Sequence, residues 1–338
     1  MRKLKIFGVP WHVAHQWELS KLPFVGTYDL IRNPYRSWGT THRLFPKNCR
    51  WVNYFKKGYY DFAILHVDQQ SIYNPEQGDR IHKGKLYLEL KETIGKDCPI
   101  VTINHMTPFH DKYESPYVVE FIKKMTEGTF MLTNSYEAAK QWGWGYPVIH
   151  GLDPKEWKDL PKEPRCVTVL SPAGMEKAYR RIFLTTVRRM LSELGVPFTW
   201  IGVDKICSSF EEYKDYLGRS LVFFMPTWQS PRPRARTEAM MSGCCIVSTP
   251  YQDADTFIKH GVNGFLTSQV QIRDPRVMDN PGATANLIKR LVIDEPDVAL
   301  RVGQEGKKTA WKLFSSKEFA KQWLKVLEKI GVKAGEKK

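Results

Sequence analysis

Nothing in this 338-residue chain approaches the ~20 consecutive apolar residues of a bilayer-spanning helix, so a helical membrane span is excluded. Cysteine is sparse. Cys49, Cys98, Cys166, Cys207, Cys244 and Cys245 form no Cys-x-x-Cys pairs with histidines, which argues against a zinc module or a disulfide framework. Three of them fall in or beside apolar strands, so reduced core thiols in a cytoplasmic protein are expected. The opening Met-Arg-Lys runs straight into a strand broken at Pro10, too short for a secretory leader. Internal repeats and low-complexity tracts are missing apart from a short Lys-rich tail. Acidic residues are also scarce: none lies between Asp29 and Asp61, and the whole chain carries a net charge of +15. That excess calls for an anionic partner.

What is present is an ordinary 42% of hydrophobic residues spread over a length suited to two domains of about 150 residues each. Strand-like segments at Lys3 to Val9, Tyr60 to Val67, Pro99 to His105, Thr129 to Thr133 and Pro147 to His150 alternate with helical periodicity at Trp11 to Leu22, Lys85 to Ile94, Tyr117 to Met125 and Ser135 to Trp142. A polar Lys/Pro-rich run from His150 to Pro164 reads as a linker. A second series follows: strands Cys166 to Leu170, Phe198 to Gly202 and Leu221 to Met225, with helices Glu176 to Leu194 and Ser209 to Leu217. Helical patterns from Thr284 to Val302 and Lys317 to Ile330 close the chain. Such alternation predicts an α/β protein with parallel sheets covered on both faces.

The most specific stretch is Arg236-Thr-Glu-Ala-Met-Met-Ser-Gly-Cys-Cys-Ile-Val-Ser-Thr-Pro250 with Gly261-Val-Asn-Gly-Phe-Leu266. A carboxylate opens a short helix, Gly243 ends it, and a buried strand follows. That order puts Glu238 and the Thr249 to Asp255 loop at the carboxyl edge of a parallel sheet, where open α/β folds bind nucleotides. The stretch resembles the donor-site signature of GT-B glycosyltransferases, above all the large retaining family that uses nucleotide sugars. The resemblance implies two Rossmann-like domains facing each other across a cleft. Residues 1–158 would bind the acceptor and 165–315 the donor, with a helix at about 316–332 packing back on the first domain.

By that resemblance Glu238 takes the ribose diol, for which two carboxylate oxygens are suited. A helix-dipole role is its structural alternative. Gly174, Lys177, Arg180 and Arg181, in the loop and first turn after Leu170, fall where relatives hold the diphosphate, although the early arginine of the family is missing. Cations there stabilise charge on the departing group. Ser230 stands where many relatives have the first glutamate of the signature, and Pro231-Arg232-Pro233 replaces the usual Gly-Phe-Gly. Gln229, Ser230 and Arg232 are therefore expected near the sugar, whose identity does not carry over. Arg234, Arg236 and Thr237 are expected near the phosphates. An arginine just ahead of the glutamate is also similar to phage DNA glucosyltransferases.

In the first half, His105 matches the histidine beside the donor sugar in retaining relatives and is expected to be catalytic together with Glu238. His12, His15, His66 and Asp68 flank the same expected cleft. No metal-ligand spacing is found, and GT-B catalysis generally uses no metal, so no cofactor is expected. Between Asp29 and Asp61, cations such as Arg36, Arg43 and Lys56 interleave with aromatics including Trp38, Trp51 and Tyr54. Arg36, Trp38 and Arg43 are taken as acceptor contacts, because cations neutralise phosphates and aromatic faces stack on bases. Core packing is the other use for such aromatics. A sugar nucleotide accounts for only part of the positive charge, so the acceptor is expected to be polyanionic. A hydroxymethylated DNA base leads; an anionic lipid or cell-envelope glycan is the alternative. Retention is favoured, with inversion open because of Ser230. An inactive nucleotide-sugar-binding paralogue is a further alternative, and an isomerase on the same fold leaves the basic-aromatic segment without purpose.

Overall fold

The computed structural model describes residues 2–33, 38, 43–74, 82–110, 112–170, 181–267 and 280–334. The chain divides into two compact units, Met1–Gly151 with Ser316–Lys338, and Leu152–Ser315. In the first unit, strands β1 (Leu4–Gly8), β2 (Val25–Ile31), β3 (Cys49–Val52), β4 (Phe62–Val67), β5 (Ile100–Asn104), β6 (Phe130–Thr133) and β7 (Tyr146–Pro147) form one sheet in the order β3-β2-β1-β4-β5-β6-β7. Every pairing is parallel. Successive side chains point to opposite faces, so both faces are buried and the central strands read as apolar runs. Ile6, Ile64, Val101 and Ile103 pack on one side with Phe319, Trp323, Val326 and Leu327 of the helix Ser316–Lys329. Phe7, Ala63, Leu65 and Val67 pack on the other with Tyr87, Val118 and Ile122.

Strands β2 and β3 escaped the apolar pattern. Asp29 and Arg50 are register partners, and Arg50 donates to both Asp29 oxygens at 2.8 and 2.9 Å. A charged pair across two strands removes the periodicity by which such strands are recognised.

The second unit holds β8 (Glu163–Val169), β9 (Phe198–Ile201), β10 (Ser220–Met225), β11 (Cys245–Ser248) and β12 (Phe265–Leu266), all parallel, in the order β12-β11-β10-β8-β9. Three sequence expectations are corrected here. The segment after Gly151 is packed: Trp157 is buried, and Lys162 donates to the carbonyls of Gly218 and Ser242 at 2.6 and 2.5 Å. The continuous helix from Thr284 to Val302 is interrupted by a π-turn at Arg290–Asp294, and a new helix starts at Pro296. Proline lacks the N–H to continue a helix but suits its first turn. Glu238 does not open its helix either, which spans Arg234–Met241. Prolines 231 and 233 set the start earlier, so Glu238 lies one turn in and the dipole role fails.

Close approach explains two glycines. Gly243 adopts φ 73°, and a Cβ on Gly303 would stand 2.4 Å from the Gly243 carbonyl oxygen, so the helix Pro296–Phe314 is seated against that turn. No described helix is long and apolar enough to cross a membrane. All six cysteines are free, and all but Cys207 are buried.

Each sheet has a point where strand order reverses, between β1 and β4 in the first and between β8 and β10 in the second. Loops leaving the carboxyl ends there diverge and open a crevice for ligands. Trp323 is 1% exposed in the first unit's core. Trp323→Ala is expected to destabilise that unit by about 3–5 kcal/mol. Hydrogen exchange should then quicken in β1, β4 and β5 and stay unchanged in β10 and β11.

Candidate functional sites

At the first reversal, β1 passes through Trp11 and His12 into the helix Val13–Ser20. Gln16 fixes that loop: its oxygen accepts from the Trp11 N–H and its amide donates to the Val9 carbonyl, both at 2.7 Å. After β4, Asp68 caps the 3-10 turn Gln69–Ser71 in a reciprocal capping box. Its carboxylate also accepts from Trp11 Nε1 at 2.8 Å and Lys83 Nζ at 3.3 Å. His66 lies within β4, and His105 follows β5.

These elements gather four imidazoles. His66 Nδ1 and His105 Nε2 are 2.9 Å apart, and Asn134 Nδ2 donates to His105 Nδ1 at 3.1 Å. The His12 ring is centred 4.0 Å from His105, with His15 edge-on at 5.6 Å. Trp11 stacks on His66 at 6.2 Å. Burial, then repulsion from His15 and His12, holds His66 well below the usual histidine value. Burial, then His12, His66, His15 and Lys83, does the same for His105. The pair is therefore neutral at neutral pH. Among the described residues no group of three or more His, Cys, Asp or Glu is arranged to hold a metal ion.

His12, His15, His66, His105 and Asp68 thus come together. Arg36 lies outside the described residues; Trp38 and Arg43 are buried, with Trp38 Nε1 donating to the Arg43 carbonyl at 2.9 Å. Phe45 and Trp51 stack at 5.3 Å against the core, and Phe55 stacks on Tyr60. Core packing therefore uses most of the aromatics between residues 29 and 61. Tyr54, 72% exposed, remains at the surface. It joins Arg50, Lys56 and Tyr59 around a cavity of about 410 Å³.

In the second unit, Gly174, Lys177 and Arg180 lie outside the described residues, and Arg181 is exposed at the start of the helix Arg181–Glu193. The loop after β10 leads into the helix Arg234–Met241. Glu238 is 5% exposed; Tyr213 donates its hydroxyl to one carboxylate oxygen at 2.7 Å, and Arg234 Nε donates to the other at 3.1 Å. These bonds fix the carboxylate plane, and a carboxylate accepts up to about four hydrogen bonds in all. Arg232 meets Asp253 at 3.3 Å and lies over the rings of Phe257 and Phe314, 4.6 and 4.2 Å from their centroids. Arg236, 0% exposed, donates to Ser248 Oγ at 3.2 Å and lies 5.1 Å from the Phe257 centroid. Thr237 and Gln229 are buried in the same region, with Ser230 half-buried.

The loops after β10 and β11 are tied together. Thr249 donates to the Thr227 carbonyl, and Gln252 Nε2 donates to the Trp228 carbonyl at 3.2 Å. Gln252 is the one non-glycine with positive φ (58°) among the described residues, a strained conformation that clusters at binding loops. Sequence reasoning missed Asn134, Tyr213 and Asp253 as site residues. Asn134 was within reach, since it follows a strand end directly. Tyr213 lies 25 positions before Glu238 on another helix, and no local signal links them.

Lowered histidine values fix the sign of a pH effect. Unfolded His66 and His105 take up protons as pH falls through about 6.5, while the folded pair resists, so stability declines until the lowered folded values are reached. Moving from pH 7.5 to 5.5 is therefore expected to lower the stability of the first unit. Urea midpoints should fall accordingly, and His66→Gln should flatten the decline; equal midpoints at both pH values would contradict it.

No protein-family model and no curated protein matches the sequence. Solved structures do match. Sucrose-phosphate synthase (tll1590) from Thermosynechococcus elongatus aligns with a TM-score of 0.65 at 12% identity, over 97% of this chain and 99% of that one. Anabaena Alr3699/HepE, solved in complex with UDP and glucose, aligns with a TM-score of 0.66 at 13% identity, over 96% of this chain and all of that one. A glycosyltransferase from Rickettsia africae ESF-5 aligns at 0.59 and 11% identity, over 98% and 99% of the two chains. The likeness establishes the fold: two Rossmann-like α/β units of the GT-B type.

Proposed function

We propose that this protein is a glycosyltransferase that moves a sugar from a nucleotide donor, a UDP-sugar first, to a hydroxyl on a polyanionic acceptor. The observation that carries the reading is the buried shell at the carboxyl edge of β10 and β11. There Arg232, Arg234 and Arg236 share space with two carboxylates, Glu238 and Asp253, among the described residues. Fixed cations of this kind stabilise a diphosphate, where charge builds on the departing group. Glu238, oriented by Tyr213 and Arg234, takes the ribose hydroxyls. HepE, which shares this fold at 13% identity, is a protein solved with UDP-glucose, and that supports the donor class. Gly174, Lys177, Arg180 and Arg181 complete the phosphate side in this reading, and Gln229, Ser230 and Thr237 the sugar side. The nucleotide sugar is a substrate, and the scheme uses no resident cofactor.

His105 is proposed to stand beside the anomeric carbon. Both its ring nitrogens are hydrogen-bonded within the unit, so a base role requires it to give up a partner. The geometry favours a fixed, neutral stabilising group. Nucleic acid carrying a hydroxymethylated base is the proposed acceptor, supported by the +15 charge and by exposed Tyr54 beside Lys56 at the cavity rim. Retention is the proposed outcome on the signature, with inversion the alternative because Ser230 replaces the first glutamate.

Glu238→Gln is expected to weaken UDP-sugar binding at least tenfold, about 1.4 kcal/mol, by isothermal titration calorimetry. The wild type should release free UDP when hydroxymethylated DNA is supplied, with the sugar's mass added to the DNA. Transfer to anionic vesicles in place of DNA would reassign the acceptor. UDP-sugar binding without transfer to any acceptor would indicate an inactive paralogue, and unchanged donor affinity in the variant would overturn the site.

A further inference from the structure

We propose that Asn134 and His66 are positioning residues for His105: Asn134 makes its Nδ1 the acceptor, and His66 takes the proton left on Nε2. The inference rests on the reading of His105 as a group beside the donor sugar, but the tautomer belongs to the free protein and is measurable without any substrate.

A neutral imidazole has one donor and one acceptor nitrogen, and the partner of each decides which is which. Asn134 Nδ2 donates to His105 Nδ1 at 3.1 Å, so that nitrogen presents its lone pair. The proton then sits on Nε2, which donates to His66 Nδ1 at 2.9 Å. His66 in turn carries its proton on Nε2, a buried atom that reaches no hydrogen-bond partner among the described residues. With Asn134 so oriented, this is the one self-consistent order of protons.

Each member is held in place. Asn134 immediately precedes Ser135, whose hydroxyl caps the next helix by accepting from the Ala138 N–H at 2.9 Å. His66 is 1% exposed, sits in register with Ile103, and is stacked by Trp11 with 13° between the rings. Its ring is not free to swing. The nearby charges, Lys83 and Asp68, pair with each other at 3.3 Å, so the hydrogen bonds set the direction. His12 and His15 face the two rings as well, and burial, with repulsion from these neighbours, keeps the pair neutral. A residue serving packing alone at position 66 would be apolar, since a buried ring nitrogen with no bond is costly.

The test is long-range ¹H–¹⁵N correlation of histidine-labelled full-length protein at pH 7.5. His105 and His66 are each expected as the neutral Nε2–H form. His66→Gln and His66→Leu should both keep His105 as Nε2–H, because Asn134 still donates to Nδ1, with the Leu variant losing only the bond that anchors the ring. Asn134→Asp, which only accepts, should reverse His105 to Nδ1–H. A wild-type His105 protonated on Nδ1, or an Asn134→Asp variant that keeps the Nε2–H form, would overturn the proposal. In transfer assays His66→Leu should lower kcat on the order of tenfold or more at unchanged donor KM, with recovery in His66→Gln. Absence of transfer by the wild type would sink the glycosyltransferase reading and leave the tautomer result standing.

Discussion

Strands that all run the same way must return outside the sheet, so every loop that follows a strand emerges at one edge. This single constraint assembles both sites. Residues as far apart in sequence as His12, His66, His105 and Asn134 meet because β1, β4, β5 and β6 end together. The loops after β10 and β11 meet for the same reason, and a strained Gln252 and the Thr249–Thr227 hydrogen bond tie them. Backbone direction is a global property of the sheet, set by burial on both faces, and the chemistry depends on it.

The two sites solve opposite electrostatic problems. In the first unit four imidazoles crowd together, and burial keeps at least two of them uncharged. Charge there is avoided by losing protons. In the second, guanidinium groups cannot lose theirs. Arg232 lies over the rings of Phe257 and Phe314 and reaches Asp253, so ring faces and a carboxylate offset its cost.

Much of the fold was legible in the sequence because central strands buried on both faces announce themselves as apolar runs. β4, β5 and β10 were clear for that reason. β2 and β3 were hidden by the Asp29–Arg50 pair, which satisfies both charges across the ladder while looking like loop sequence. The site was half legible. Glu238 and His105 follow strand ends at recognisable spacing, but their partners Tyr213 and Asn134 owe their importance to three-dimensional proximity alone. The aromatic and basic residues before Asp61 illustrate the reverse limit. Composition cannot separate Trp38, which is core, from Tyr54, which is surface, because both stand among cations and turn residues.

The chain path has a consequence for how the molecule is made. Residues 152–315 are inserted into a unit whose last piece, the helix Ser316–Lys329, arrives only afterwards. During vectorial synthesis the inserted unit has all its strands before the other has its full core, since Phe319 and Trp323 emerge late. Until then their face of the seven-stranded sheet is covered only in part, by Leu19, Leu22 and Trp38. The bridge between Leu152 and Ser315 closes the insertion like a clasp, returning the chain beside its point of departure, so that the waiting sheet needs only one more helix to be covered.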